Sequence, residues 1–156
     1  MTSLARARWL ALLLPTALMA GALGSQFWGG LYPCEMCHWQ RWPHYGAIAL
    51  AALALVLRAW PINRVFVLFA ALGILASGAI GAFHAGVEYG WWEGLTRCST
   101  MPSTQGDLLT NIMKAPMIRC DEAPWTLAGI SLAGYNALIS IAGAFAIFSM
   151  MRDKSA

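Results

Sequence analysis

Apolar residues run in four long stretches, separated by short polar breaks. After Arg6 and Arg8, residues 9–27 carry no charge, and a membrane-crossing helix needs about 20 such residues. Ala20-Gly21-Ala22 resembles a signal-peptide cleavage site, but the run exceeds the roughly 7–15-residue core of a signal peptide, so it is read as a retained helix. The second run lies between Arg41 and Arg58 and is short for a bilayer at about 1.5 Å per residue. Its helix is therefore expected over about 34–58, with Pro33 at the start and Pro43 as a tolerated kink. Turn signals at Trp60-Pro61-Ile62-Asn63-Arg64 precede a third helix over about 65–87. Along it Gly73, Ser77, Gly81 and Ala85 recur every four residues, a stripe that lets a neighbour approach closely. The last helix is expected over about 125–151, with Gly129, Ala133, Asn136 and Ser140 sharing a bundle-facing side. The pattern predicts an all-α fold: one integral membrane four-helix bundle spanning 1–156, with a single long polar loop over about 88–124. Within that loop, Leu108, Leu109, Ile112 and Met113 would share one side of a short helix from Gly106 to Lys114.

Composition agrees. The chain is 59% hydrophobic and 11% charged, against roughly 25% charged in soluble domains, and its mean hydropathy is +0.59. The net charge of +3 is too small and too scattered for nucleic acid. Its distribution does carry information. Arg6, Arg8, Arg58, Arg64, Arg152 and Lys154 fall at one set of helix ends with a single acid, Asp153. At the other ends, Arg41, Arg97, Lys114 and Arg119 are outnumbered by Glu35, Glu88, Glu93, Asp107, Asp121 and Glu122. The basic side is expected in the cytoplasm, with both termini, and the long loop outside. The tryptophans flank the apolar runs, as an interfacial belt does.

All four cysteines then lie on the outer side, where disulfides persist. Cys34 and Cys37 form a Cys-x-x-Cys at the start of the second helix, where partial positive charge favours thiolate. Arg41, one turn further on, adds full positive charge to the same face. A disulfide closing so small a loop braces a fold weakly, so the pair reads as redox-active. Cys98 and Cys120 are split across the long loop. Four cysteines could close a zinc site, but the second pair lacks ligand spacing and no metal is expected. A structural tetraspan stapled by disulfides is the other alternative, and four cysteines allow three connectivities.

Pro33-Cys34-x-x-Cys37-x-x-x-Arg41, together with the split pair between helices three and four, resembles the bacterial DsbB family of membrane thiol–quinone oxidoreductases. The resemblance covers nearly the whole chain. It implies an inner-membrane enzyme that reoxidises a soluble periplasmic thioredoxin-like (DsbA-like) oxidase. The partner's thiolate would attack at Cys98, Cys120 would pass electrons on through Cys34, and Cys37 would reduce ubiquinone or menaquinone from the membrane pool. Arg41 would hold the quinone head group, and His84, near the outer end of helix three, would lie close by. His38 and His44 are read as interfacial side chains.

Overall fold

The structure, a computed structural model, describes residues 2–95, 99–100 and 117–153. Cys98 and the expected short helix over 106–114 lie outside the described residues. Four long helices dominate: α1 Ser3–Phe27, α2 Glu35–Val56, α3 Asn63–Glu88 and α4 Leu132–Arg152. α3 packs on α2 and α4, and α1 closes the ring against the same two helices, which leaves α2 and α4 on a diagonal. Two short antiparallel pairs interrupt the all-α expectation: β1 Ser99–Thr100 with β2 Met117–Ile118, and β3 Thr126–Leu127 with β4 Ile130–Ser131.

α1, α3 and α4 are long and apolar enough to cross a membrane. α2 is not among them, because Glu35, His38, Gln40, Arg41 and His44 occupy its first turns. Large apolar side chains such as Leu13, Phe69, Leu138 and Phe145 stay exposed on the outside of the bundle, the surface that lipid covers in a membrane protein. Inside, the core is built from small residues, with Ala7, Ala11, Ala51, Ala70 and Ala144 fully buried. Small side chains bring backbones together where lipid tails supply no hydrophobic drive. The α3 stripe shows how. A Cβ on Gly73 would sit 3.1 Å from the carbonyl of Pro43 in α2, and one on Gly81 would sit 3.0 Å from the carbonyl of Ala133 in α4.

The helix ends depart from the sequence expectation. α1 begins at Ser3 and not at residue 9, because Thr2 Oγ1 accepts from Ala5 N at 3.2 Å and arginines are good helix formers. α4 begins at Leu132 and not at residue 125. Ala128 and Gly129 take φ of 50° and 77°, which turns residues 126–131 into a hairpin. Ser131 then caps α4, its Oγ accepting from Gly134 N at 3.1 Å. Tyr89, just past α3, locks that hairpin by donating to the carbonyl of Gly129 and accepting from Ser131 N, both at 3.0 Å.

Candidate functional site

The site forms where the start of α2 meets the end of α3. Cys34 is the N-cap of α2, with extended backbone, and its Sγ accepts from Cys37 N at 3.2 Å. A sulfur thus occupies the place usually taken by a hydroxyl or carboxylate oxygen, facing the unpaired N–H groups of the first turn. Those N–H groups and the helix dipole favour negative charge on sulfur. Cys37 falls in that same turn, with its Sγ 2.9 Å from Cys34 Sγ. Cys34 is buried and Cys37 is half-buried.

α3 brings His84 over the pair. Its side chain is buried, with Nε2 3.6 Å from Cys34 Sγ and 3.7 Å from Glu88 Oε1. Gln40 of α2 meets Nδ1 at 2.8 Å through its amide nitrogen, an arrangement that leaves the ring proton on Nε2, facing Cys34 and Glu88. Glu88, one turn past His84, has a side chain only 3% exposed and accepts a hydrogen bond from Ser131 Oγ. Cys120 arrives from the loop. It packs with Cys34, Met36, Val87 and Ile118, and its Sγ, Cys34 Sγ and a ring nitrogen of His84 all lie within 4.8 Å of one another. On either side of it, Arg119 pairs with Asp121 at 2.9 and 2.7 Å, which holds that exposed carboxyl below its usual range.

Two cavities meet here. The inner one, about 210 Å³, lies among all four helices and is walled by Ala17, Leu18, Met19, Gly21, Ala22, Leu132 and Ala133, with Gln40, Arg41, His44 and Asn136 as its polar points. The outer one, about 410 Å³, is bounded by Tyr32, Cys34, Ile118, Arg119 and Glu122. Cys37, His84, Glu88 and Pro124 border both. Arg41 shares the inner cavity with Cys37. Its guanidinium also donates to Gln26 Oε1 at 2.6 Å and to the Ala22 carbonyl at 3.2 Å, tying α2 to the end of α1.

Residues 5–150 match the model of the family described as disulfide bond formation protein DsbB. The chain belongs to the DsbB family. It is also 28% identical, over 114 residues, to an uncharacterized protein of Rickettsia prowazekii (strain Madrid E); the match covers 70% of this chain and 65% of that relative's length. No solved structure matches. The family's description names disulfide bond formation, and the chain spans less than two thirds of the length of the relative it matches.

Within this DsbB family bundle, the structure brings Cys34, Cys37, Cys120, Arg41 and His84 to one end; Cys98 lies outside the described residues. Sequence reasoning missed Gln40, His44 and Glu88. His44 is no interfacial side chain. It is buried, with Nε2 2.9 Å from Asn136 Oδ1, because it shares a helix face with Met36, Gln40, Ala47 and Ala51. Asn136 is the hub of this buried network, donating to Gln40 Oε1 at 2.9 Å and to Ser77 Oγ at 3.1 Å, and accepting from Ser140 Oγ at 2.9 Å. The three-to-four-residue spacing of Met36, Gln40, His44 and Ala47 was the available signal.

Proposed function

We propose that this chain reoxidises a soluble, periplasmic thioredoxin-like dithiol oxidase and passes the electrons to the membrane quinone pool. All four long helices then cross the inner membrane, α2 included, with both termini in the cytoplasm and the cysteines on the periplasmic face. The observation that carries this reading is the position of Cys34, which stands between Cys37 at 2.9 Å and Cys120 within 4.8 Å. One sulfur within reach of two others is what a disulfide relay requires.

The inner cavity suits a quinone. Its walls are apolar, Cys37 borders it, and the wall residue His44 has a buried Nδ1 without a hydrogen-bond partner among the described residues. Arg41, His44 and Cys37 would hold the head group, and a bound quinone supplies an acceptor for two electrons and two protons. The chain's own residues do the rest. The partner's dithiolate attacks the Cys98–Cys120 disulfide through a mixed disulfide at Cys98; the partner leaves oxidised and Cys98 and Cys120 are left as thiols. Cys120 thiolate then attacks Cys34 of a Cys34–Cys37 disulfide, releasing Cys37 as thiolate at the edge of the inner cavity. Cys98 displaces Cys34 from the resulting Cys34–Cys120 bond, which restores the loop disulfide. Here His84 Nε2–H, 3.6 Å away, stabilises Cys34 as it leaves with negative charge. Glu88 Oε1, 3.7 Å from Nε2, lies beside the same groups. Arg41 favours negative charge on Cys37.

The test is stopped-flow mixing of purified protein, loaded with ubiquinone or menaquinone, with a reduced thioredoxin-like partner. Quinone reduction should match partner oxidation in a one-to-one ratio, and Cys37→Ser should abolish it. Quinone reduction that proceeds equally in Cys37→Ser would remove this pair from the path to quinone.

A further inference from the structure

We propose that the reduced protein carries a zinc site made by Cys34 Sγ, Cys120 Sγ and a ring nitrogen of His84, and that its occupation halts electron flow. This goes beyond the relay and does not depend on which quinone or partner is used. It also differs from a four-cysteine centre, since a histidine takes the place of Cys98.

Three separate segments supply the ligands: the N-cap of α2, the outer end of α3 and the loop after β2. The three ligand atoms lie within 4.8 Å of one another, and all three residues are buried. A tetrahedral zinc site with bonds of about 2.0–2.3 Å places its ligand atoms roughly 3.3–3.8 Å apart. Cys34 Sγ and His84 Nε2 already stand at 3.6 Å, so only Cys120 has to close up. A fourth ligand is at hand on either side: Cys37 Sγ, 2.9 Å from Cys34 Sγ, or Glu88 Oε1, 3.7 Å from Nε2. Sulfur and imidazole together select zinc over magnesium or calcium. The nearby carboxylate adds attraction for a cation; Arg41, on the inner cavity, is engaged with α1, and Arg119, on the outer one, is paired with Asp121. Gln40 touches the other ring nitrogen and orients the imidazole, as outer-sphere partners of metal-bound histidines do.

Binding moves protons and no electrons. Each thiol loses one proton as its sulfur bonds to zinc. The Nε2 proton of His84 shifts to Nδ1, and the Gln40 amide turns its oxygen toward it, giving up the hydrogen bond from Asn136 Nδ2, which keeps Ser77 Oγ as its acceptor. Zinc-bound, Cys34 and Cys120 are unavailable to form a disulfide with each other or with their own partners. The site exists only while both are thiols, so an oxidised chain does not bind.

The experiment titrates cobalt(II), a visible stand-in for zinc, into the full-length protein reduced anaerobically in lipid nanodiscs. Tetrahedral sulfur-ligated cobalt absorbs in the visible, and added zinc should bleach it. One equivalent should bind to the wild type and to Cys98→Ser, and none to the oxidised protein. His84→Ala should weaken binding roughly tenfold or more, and Cys120→Ser should abolish the tetrahedral spectrum. Equal binding by oxidised protein, loss of binding in Cys98→Ser, or unchanged binding in Cys120→Ser would each overturn the site. If His84→Ala does not fold, Cys120→Ser, altered in the loop, and Cys98→Ser decide between them. The same reduced protein should fail to reduce added quinone while zinc-loaded and should reduce it after chelation; quinone reduction unchanged by bound zinc would overturn the halt in electron flow.

Discussion

His84 Nε2 stands 3.6 Å from Cys34 Sγ, although fifty positions separate the two residues in the chain. Gln40, held on Nδ1, leaves the ring proton on Nε2, where Cys34 Sγ, Glu88 Oε1 and the Cys120 backbone can share it. A buried donor aimed at a thiol stabilises the thiolate and does little for the disulfide.

His84 should therefore act through its Nε2 position. His84→Gln, which can place an amide N–H near that point, should keep more activity than His84→Asn, which cannot. Losing a hydrogen bond to a charged group costs about 1.5–3 kcal/mol, so His84→Asn should slow single-turnover regeneration of the loop disulfide roughly tenfold to a hundredfold. Capture of the partner at Cys98 should be unchanged. Equal rates in the two variants would reduce His84 to a packing role.

Arg41 has two contacts to α1 and one cavity to serve, and these can be separated. Gln26→Ala removes the tether at 2.6 Å and leaves the guanidinium in place. Arg41→Lys keeps the charge but loses the planar donor fork. The apparent Michaelis constant for quinone should rise about tenfold to a hundredfold in Arg41→Lys and in Arg41→Ala. It should change little in Gln26→Ala. Parallel effects in all three would mean that Arg41 works by holding α1.

The contact of α3 with α4 leaves no room at Gly78, where an added Cβ would meet Ile141 Cγ1 at 2.8 Å and Ser140 Cβ at 3.0 Å. Gly46 on α2 faces nothing within 4 Å. Overpacking a tight core costs about 1–3 kcal/mol. Gly78→Ala should lower the unfolding temperature in detergent and disturb the Asn136 network, and Gly46→Ala should not. A Gly78→Ala protein as stable as the wild type would show that α3 and α4 can separate freely.

Topology is open to direct measurement. A reporter active only in the periplasm should be silent at Ala156 and active when inserted near Gln105. The reverse pattern would place the cysteines in a reducing compartment and remove the basis for the relay.

Asn136→Leu should loosen the bundle without touching a cysteine. It removes partners from Gln40, His44, Ser77 and Ser140 at once. Interhelical polar contacts in membranes are worth about 0.6–1.7 kcal/mol each, so a loss of about 1–3 kcal/mol is expected in reversible unfolding. An unchanged unfolding curve would show that Gln40 and His44 find other partners.

The linear pattern of apolar runs, small-residue stripes and one Cys-x-x-Cys was enough for the helical membrane architecture and for the family. Those features are local: a span is set by length and hydropathy, and a thiol pair at a helix start is set by spacing. Boundaries were less legible. Nothing in hydropathy marks residues 126–131 as a hairpin, because its apolar side chains suit a helix; left-handed backbone at Ala128 and Gly129 and the grip of Tyr89 decide it. The polar half of α2 was likewise invisible as bundle interior. His44 looks interfacial, and Gln40 carries no signal at all, until α3 and α4 supply Ser77, His84 and Asn136 as hydrogen-bond partners. The cluster of Cys34, His84 and Cys120 belongs wholly to the tertiary structure. Its members come from segments far apart in sequence, and only the close approach of small-residue helices, with Ile118 and Cys120 packed against Cys34, Met36 and Val87, brings two sulfurs and an imidazole within 4.8 Å.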